Sequence, residues 1–351
     1  RALKERTGTA ILLITHNIGV VRHIADRVAV MCKGKIVEQG SVTDVLGNPQ
    51  HPYTRELLAA VPKMSAATHT DCNRRDHAED AAASPTLTGE ADCVSSDGRS
   101  SPLLRFENVS MHFDDAAGRV QAVNDISFTL ARRELLGIVG ESGSGKSTVA
   151  KLLTGLHAPT GGHILLGGRN ITHASGRERR ALYTRMQMVF QDAVGSFNPR
   201  RTIGAMIGET ICRLCTPDER NTEKRVAQLL TEVGLPSSYA DRYPHEMSGG
   251  ECQRAAIARA MAVHPEILVC DEATSALDVS VQAKIISLLL HLQQEHAMSL
   301  LFISHDLPLV SSIAGRVLIM QNGRIVEQGE TSRVLREPSE DYTRNLLRAA
   351  L

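Results

Sequence analysis

The sequence has no surplus of either charge. Lysine plus arginine and aspartate plus glutamate stand at 39 each, so the formal net charge of the 351 residues is zero. A nucleic-acid binder draws much of its affinity from neutralising phosphates, so DNA or RNA as the main ligand is not expected. Long hydrophobic runs are also missing. The most apolar stretches, residues 10–14 and 285–290, fall far short of the roughly 20 residues that cross a bilayer. Any membrane role is therefore expected to come through a partner. Cysteines number seven, an odd count scattered over a chain that opens on no signal-peptide pattern. That is no disulfide framework, and a reducing, cytosolic compartment fits it best. The one CxxC pair, Cys212 and Cys215, has no second ligand pair at zinc spacing and reads as ordinary thiols. The chain begins with arginine rather than methionine, so the start of the natural chain is expected to be missing.

What is present begins with a repeat. Residues 27–58 (RVAVMCKGKIVEQGSVTDVLGNPQHPYTRELL) align without a gap on residues 316–347 (RVLIMQNGRIVEQGETSRVLREPSEDYTRNLL). The same register maps His16 onto His305, Gly40 onto Gly329 and Tyr53 onto Tyr342. The expectation is a C-terminal remnant of one domain in residues 1–63 and a whole second domain in residues 103–351. Between them, residues 64–102 are rich in Ala, Ser, Thr, Asp and Gly and almost free of large apolar residues. Such a segment buries too little to offset its ordering entropy and reads as a flexible linker, with Cys72 and Cys93 as solvated thiols.

From residue 103 onward the pattern is that of strands alternating with helices. Residues 104–113 and 122–130 alternate, and 135–139 form a short apolar run that stops at glycine. Residues 266–270 and 299–304 are apolar on both faces, as buried parallel strands are, and the helical stretch 279–296 separates them. This order predicts an α/β fold with a sheet covered on both faces. Residues 193–250 read as mostly helical, a candidate inserted subdomain. In the first copy, residues 10–14 read as a central strand.

Gly140-Glu141-Ser142-Gly143-Ser144-Gly145-Lys146-Ser147 matches GxxxxGK[ST] and joins the strand 135–139 to a predicted helix over 147–156, which is the context that makes a P-loop. Glycines let the backbone wrap round phosphates and aim successive N–H groups at them, up to Thr148 at the helix start. Lys146 can reach the β- and γ-phosphates, and the Ser147 hydroxyl suits Mg2+. Asp271 and Glu272 end an apolar strand at the carboxyl edge, where ligands bind in open α/β sheets. Asp271 can hold the metal, through water or directly, and Glu272 can orient the water that attacks the γ-phosphate of a bound nucleotide.

Two further stretches carry a family resemblance. Met247-Ser248-Gly249-Gly250-Glu251 resembles the signature of ABC ATPases, and Ser275-Ala276-Leu277-Asp278 resembles their D-loop. With the P-loop, Gln191 in MVFQD and His305 in LFISHD, they occur in the order that ABC nucleotide-binding domains have. The resemblance implies a P-loop NTPase core with an inserted helical subdomain, preceded here by a partial copy of the same domain. It also implies roles for matching residues. Ser248, Gly249 and Gly250 would contact ATP held on a facing domain, so that hydrolysis needs two domains head to tail. Gln191 would touch Mg2+ and the attacking water and relay the ATP state to a membrane partner. His305 would bond the γ-phosphate and help order Glu272, and Phe113 would stack on adenine. The sequence departs from the usual pattern at Glu251 and Cys252 in the signature, at Ala193 where proline is common, and at Asn17 where the second copy has Asp306.

The segment NPQHPYTRELLAAVP at residues 48–62 resembles the C-terminal extension of ATPases that serve dipeptide, oligopeptide, nickel and glutathione importers; its diverged copy lies within residues 330–351. The implied activity is ATP hydrolysis that energises import of peptides or related small solutes. The implied partners are two membrane permease subunits and an extracytoplasmic solute-binding protein, with the ATPase peripheral on the cytoplasmic face of a bacterial inner membrane. Two rival classes predict features that are not seen. A soluble ABC ATPase of translation or repair would favour a basic face or zinc-binding insertions, and an inactive regulatory domain would lack Lys146, Glu272 or His305.

Overall fold

The computed structural model of the chain describes residues 9–15, 18–32, 34–59, 101–115, 118–215, 222–274 and 277–350. The elements in order are helix α1 (Ile18–Ile24), strands β1 (Arg27–Cys32) and β2 (Lys35–Ser41), and helices α2 (Val42–Gly47) and α3 (Pro52–Ala59). The second part opens with β3 (Leu104–Asp115), β4 (Gly118–Leu130), β5 (Leu135–Val139), α4 (Lys146–Leu153), β6 (Gly161–Leu166) and β7 (Arg169–Asn170). It continues with α5 (Gly176–Arg185), β8 (Met186–Val189), α6 (Ile203–Leu214), α7 (Thr222–Glu232) and α8 (Gly249–Met261). It closes with β9 (Ile267–Asp271), α9 (Val279–Glu295), β10 (Ser299–Ser304), α10 (Leu307–Ile313), β11 (Arg316–Gln321), β12 (Arg324–Glu330), α11 (Thr331–Arg336) and α12 (Asp341–Ala350).

A six-stranded sheet in the order β12-β11-β5-β10-β9-β8 forms the centre, and a four-stranded antiparallel sheet β4-β3-β6-β7 lies beside it. Within the central sheet β11, β5, β10, β9 and β8 run parallel, and β12 is an antiparallel edge. The all-apolar strands follow from having a core on each side. On β10, Leu300 and Phe302 face the helical cluster while Leu301 and Ile303 face the cluster shared with the antiparallel sheet. Leu268 and Cys270 against Ile267 and Val269 divide β9 in the same period of two. Phe302 is fully buried, so its truncation to Ala would cost about 3–5 kcal/mol. On α9, Ile285, Ile286, Leu289 and Leu292 recur on one buried stripe against this core.

The repeat is visible in the hydrogen-bond register. β1 pairs with β2 from Arg27↔Ser41 to Cys32↔Lys35 with a break between Val30 and Met31. β11 pairs with β12 from Arg316↔Glu330 to Gln321↔Arg324 with a break at the matching place, between Ile319 and Met320. The surroundings differ. β11 also pairs with β5 and is buried along its middle, whereas β1 pairs with β2 alone among the described residues and leaves Met31 exposed. One expectation fails here. Residues 10–14 form no strand, and Leu12 and Ile14 are each 90% exposed. An apolar strand of central type needs a hydrogen-bonded neighbour on each edge, and among the described residues none lies beside it. His16, Asn17, Cys72, Cys93, Ser275 and almost all of the expected linker lie outside the described residues.

Candidate nucleotide-binding and hydrolysis site

The site collects at the carboxyl ends of β5, β9 and β10. Gly140 follows β5, and a side chain there would put its Cβ 2.2 Å from the Met320 carbonyl oxygen. Gly145 has φ 102° and caps α4, where a Cβ would lie 2.5 Å from the Ala122 carbonyl oxygen. The loop is therefore pressed so closely on β4 and β11 that only glycine fits these positions. Gly323, in the β11–β12 turn, donates its N–H to the Ser144 carbonyl at 3.0 Å and ties the loop to that turn. Lys146 is 4% exposed. Its ammonium donates to the carbonyls of Gly140 at 2.9 Å and Glu141 at 2.8 Å. Burial pulls its pKa down, and the nearby carboxylates of Glu272 and Asp271 push the other way.

Ser147 donates its hydroxyl to Asp271 at 2.9 Å. Asp271 is buried, and burial holds its carboxyl above the usual aspartate range while the Ser147 hydrogen bond and two lysines pull it down. Beside it, Glu272 has the left-handed φ of 47° and donates its N–H to the Ile303 carbonyl at 2.9 Å. This turn directs the two neighbouring carboxylates differently, Asp271 towards Ser147 and Glu272 towards Gln191 and His305. The Gln191 amide donates to one Glu272 oxygen at 2.9 Å, and His305 Nδ1 lies 3.5 Å from the other. A buried carboxylate and a serine hydroxyl in contact are hard oxygen donors, the set that suits Mg2+ with its retained waters.

The structure thus brings Lys146, Ser147, Gln191, Asp271, Glu272 and His305 into one connected group. Phe113 stands partly exposed, edge-on to His157 with ring centroids 5.4 Å apart. Ser248 belongs elsewhere. It caps α8 in a reciprocal box with Glu251, whose carboxylate accepts from the Ser248 N–H and hydroxyl, each at 2.8 Å. The Tyr239 hydroxyl donates to the same carboxylate at 2.7 Å and, with the Ser248 bonds, holds it below the usual glutamate range. Glu251 in the signature is thereby explained as a cap. Gly250 packs where a Cβ would meet Val281 at 2.6 Å. Among the described residues, no recorded hydrogen bond or ion pair joins Ser248, Gly249 or Gly250 to the P-loop. Cys252 is buried with its thiol on the Pro244 carbonyl, and Ala193 is buried. Cys212 and Cys215 face different neighbours, Thr222 and the Ala262 carbonyl. One contact escaped the sequence reading. Tyr342 on α12 accepts the Glu141 N–H at 3.1 Å, 201 residues away; the only signal for it was a tyrosine kept in both copies.

A P-loop on a mixed sheet, an acidic pair at a strand end and a capped signature helix define a nucleotide-binding domain of the ABC ATPase class. Residues 123–275 match the ABC transporter family, and residues 37–93 match the C-terminal region of oligopeptide/dipeptide transporters. The chain is similar to the ATP-binding proteins of ABC transporters of the oligopeptide and glutathione importer type. It is 43% identical over 359 residues to the glutathione import ATP-binding protein GsiA of Shigella boydii serotype 4 (strain Sb227), covering 99% of this chain and 57% of that protein. It is 42% identical over 358 residues to the peptidoglycan transport ATP-binding protein YejF of Agrobacterium fabrum, covering 99% of this chain and 60% of that protein. The chain thus spans less than two thirds of the length of these relatives. Among solved structures it resembles the ATP-binding cassette MJ0796 bound to ADP and Pi, with TM-score 0.59 and 26% identity over 65% of this chain and 98% of that one. It also resembles cbiO1 from Clostridium perfringens, part of the ABC transporter complex cbiONQ, with TM-score 0.60 and 26% identity over 68% of this chain and 92% of that one.

Proposed function

We propose that residues 103–351 bind and hydrolyse ATP and that the chain energises import of peptides or related small solutes. The observation that carries the catalytic part is the single Glu272 carboxylate held between Gln191 and His305, next to Asp271 and the P-loop serine. In this reading Lys146 and the N–H groups from Gly140 to Thr148 hold the phosphates. Ser147 and Asp271, with Gln191 beside them, would hold Mg2+, which when bound supplies charge neutralisation on the phosphates. Glu272 accepts a hydrogen bond from the attacking water and orients it, while Gln191 and His305 keep the carboxylate in place. Phe113 offers its exposed face to adenine. Ser248, Gly249 and Gly250, which share no hydrogen bond or ion pair with this group among the described residues, serve the ATP of a second domain set head to tail.

The domain reading is part of the same proposal. Residues 1–63 correspond to the C-terminal part of a first domain of the same kind, 64–102 to a linker and 103–351 to a complete domain. In the latter, residues 193–250 form a helical subdomain and 330–351 the importer-type extension. A groove beside the segment after Gln191 is lined by Arg179, Arg180, Arg201, Arg213 and Arg259, against one carboxylate, Glu209. Arg201 and Arg213 both pair with Glu209, which leaves a net positive surface suited to an acidic segment of a permease. Two permeases and an extracytoplasmic solute-binding protein complete the assembly, with the ATPase on the cytoplasmic face of the inner membrane.

The test is reconstitution of the chain with a permease pair in liposomes. Cargo-loaded binding protein should stimulate ATP hydrolysis, and Arg180→Glu with Arg213→Glu should abolish the stimulation while leaving ATP binding intact. Hydrolysis that no binding protein or permease pair can change would contradict the import reading.

A further inference from the structure

Both copies of the repeat keep the triplet Tyr-Thr-Arg, at residues 53–55 and 342–344, and two anchoring contacts around it are the same in both. In the second copy the carboxylate of Glu327 on β12 accepts the N–H of Ser339 at 2.8 Å and of Glu340 at 3.4 Å. In the first, Glu38 on β2 accepts the N–H of Gln50 at 2.8 Å and of His51 at 3.1 Å. Arg344 donates to the Pro338 carbonyl at 2.7 Å, and Arg55 to the Pro49 carbonyl at 2.9 Å. The threonines, Thr54 and Thr343, are fully buried. The glutamate and the arginine thus pin each helix start from two sides. What the pinned turn presents is the tyrosine.

In the second domain that tyrosine has a target. The peptide unit between Gly140 and Glu141 is held at both ends: its carbonyl accepts from the Lys146 ammonium at 2.9 Å, and its N–H donates to the Tyr342 hydroxyl at 3.1 Å. A rotation of that peptide would carry away the carbonyl on which Lys146 rests. The Tyr342 ring packs on the helical core cluster together with Leu346 and Leu347, and α12 lies against α10, so its hydroxyl is fixed by the body of the domain.

We propose that Tyr342 is a positioning residue of the nucleotide site: its hydroxyl fixes the Gly140–Glu141 peptide and, through it, the Lys146 ammonium and the phosphate loop. The C-terminal extension therefore acts on ATP affinity, besides whatever it does for assembly. This rests on the reading of the P-loop as an ATP site. Tyr342→Phe removes only the hydroxyl and leaves the ring packing in place. In the full chain it should raise the ATP dissociation constant and KM about three- to tenfold, the range one hydrogen bond spans, with kcat and the nucleotide-free melting temperature nearly unchanged. Lys146→Ala is the control for the site itself. Wild-type ATP affinity in Tyr342→Phe, with binding lost in Lys146→Ala, overturns the role of Tyr342 and leaves the ATP site standing. A lowered melting temperature with unchanged affinity would equally overturn it, since that is a structural role only. Undiminished binding in Lys146→Ala would instead contradict the ATP reading on which the inference stands.

Discussion

The Ser147 hydroxyl donates a 2.9 Å hydrogen bond to Asp271 across 124 residues of sequence, and this contact joins the phosphate loop to the acidic strand end. Asp271 is the more buried of the two adjacent carboxylates, and its charge has little compensation beyond Ser147 and two lysines. A divalent cation at this spot would relieve that cost. Asp271→Asn should therefore weaken ATP binding at least about tenfold in the presence of Mg2+, roughly 1.4 kcal/mol, with a smaller change when Mg2+ is chelated. Equal weakening with and without the metal would contradict a metal role for Asp271.

Among the described residues the Ser248 side chain makes its hydrogen bonds within its own capping turn, with Glu251. Hydrolysis across two chains follows if it serves a neighbour's ATP. Mixing inactive Ser248→Arg chains with inactive Lys146→Ala chains should restore one working site per mixed dimer, read as recovered phosphate release. No recovery at any mixing ratio would count against the composite site.

Glu266 joins the end of α5 to the start of β9. Its carboxylate pairs with Arg185, one contact at 3.1 Å, and with Arg132 at 3.5 Å. The Arg185 hydrogen bond is the main cause that holds Glu266 below the usual glutamate range. A depressed carboxyl contributes stability above its unfolded-state pKa, about 4.3, and loses it as pH falls through the folded value. Glu266→Gln should cost roughly 1 kcal/mol or less of stability at pH 7, read as a lowered melting temperature, because Glu266 and Arg185 are about a third exposed and Arg132 is more exposed, so that solvent screens the pairs. The deficit should shrink at acid pH. A deficit that stays constant from pH 7 to pH 3 would show that the charge plays no part.

The parts of the site that were legible in the sequence are those where function is written locally. Glycines at Gly140 and Gly145 are forced by close backbone approach, and the all-apolar strand ending in Asp271 and Glu272 is forced by two cores meeting on one sheet. Residues 10–14 have the same apolar pattern and yet form no strand, because pattern states what a strand would bury, while pairing depends on neighbours elsewhere in the chain. Glu251 read as a departure from the signature until its cap and its bond from Tyr239 were seen. Tyr342 could not be assigned to the P-loop from sequence, since no local rule links a C-terminal helix to a loop so distant in the chain.

Glu272 is placed by its left-handed backbone and gripped by Gln191 and His305. Replacing it with Gln keeps the shape and removes the charge proposed to orient water. The measurement is ATP binding and single-turnover hydrolysis on the same Glu272→Gln protein. ATP binding should stay within about twofold of wild type, and hydrolysis should slow by at least about two powers of ten, roughly 3 kcal/mol of transition-state stabilisation. Near-normal turnover in that variant would contradict this role of Glu272.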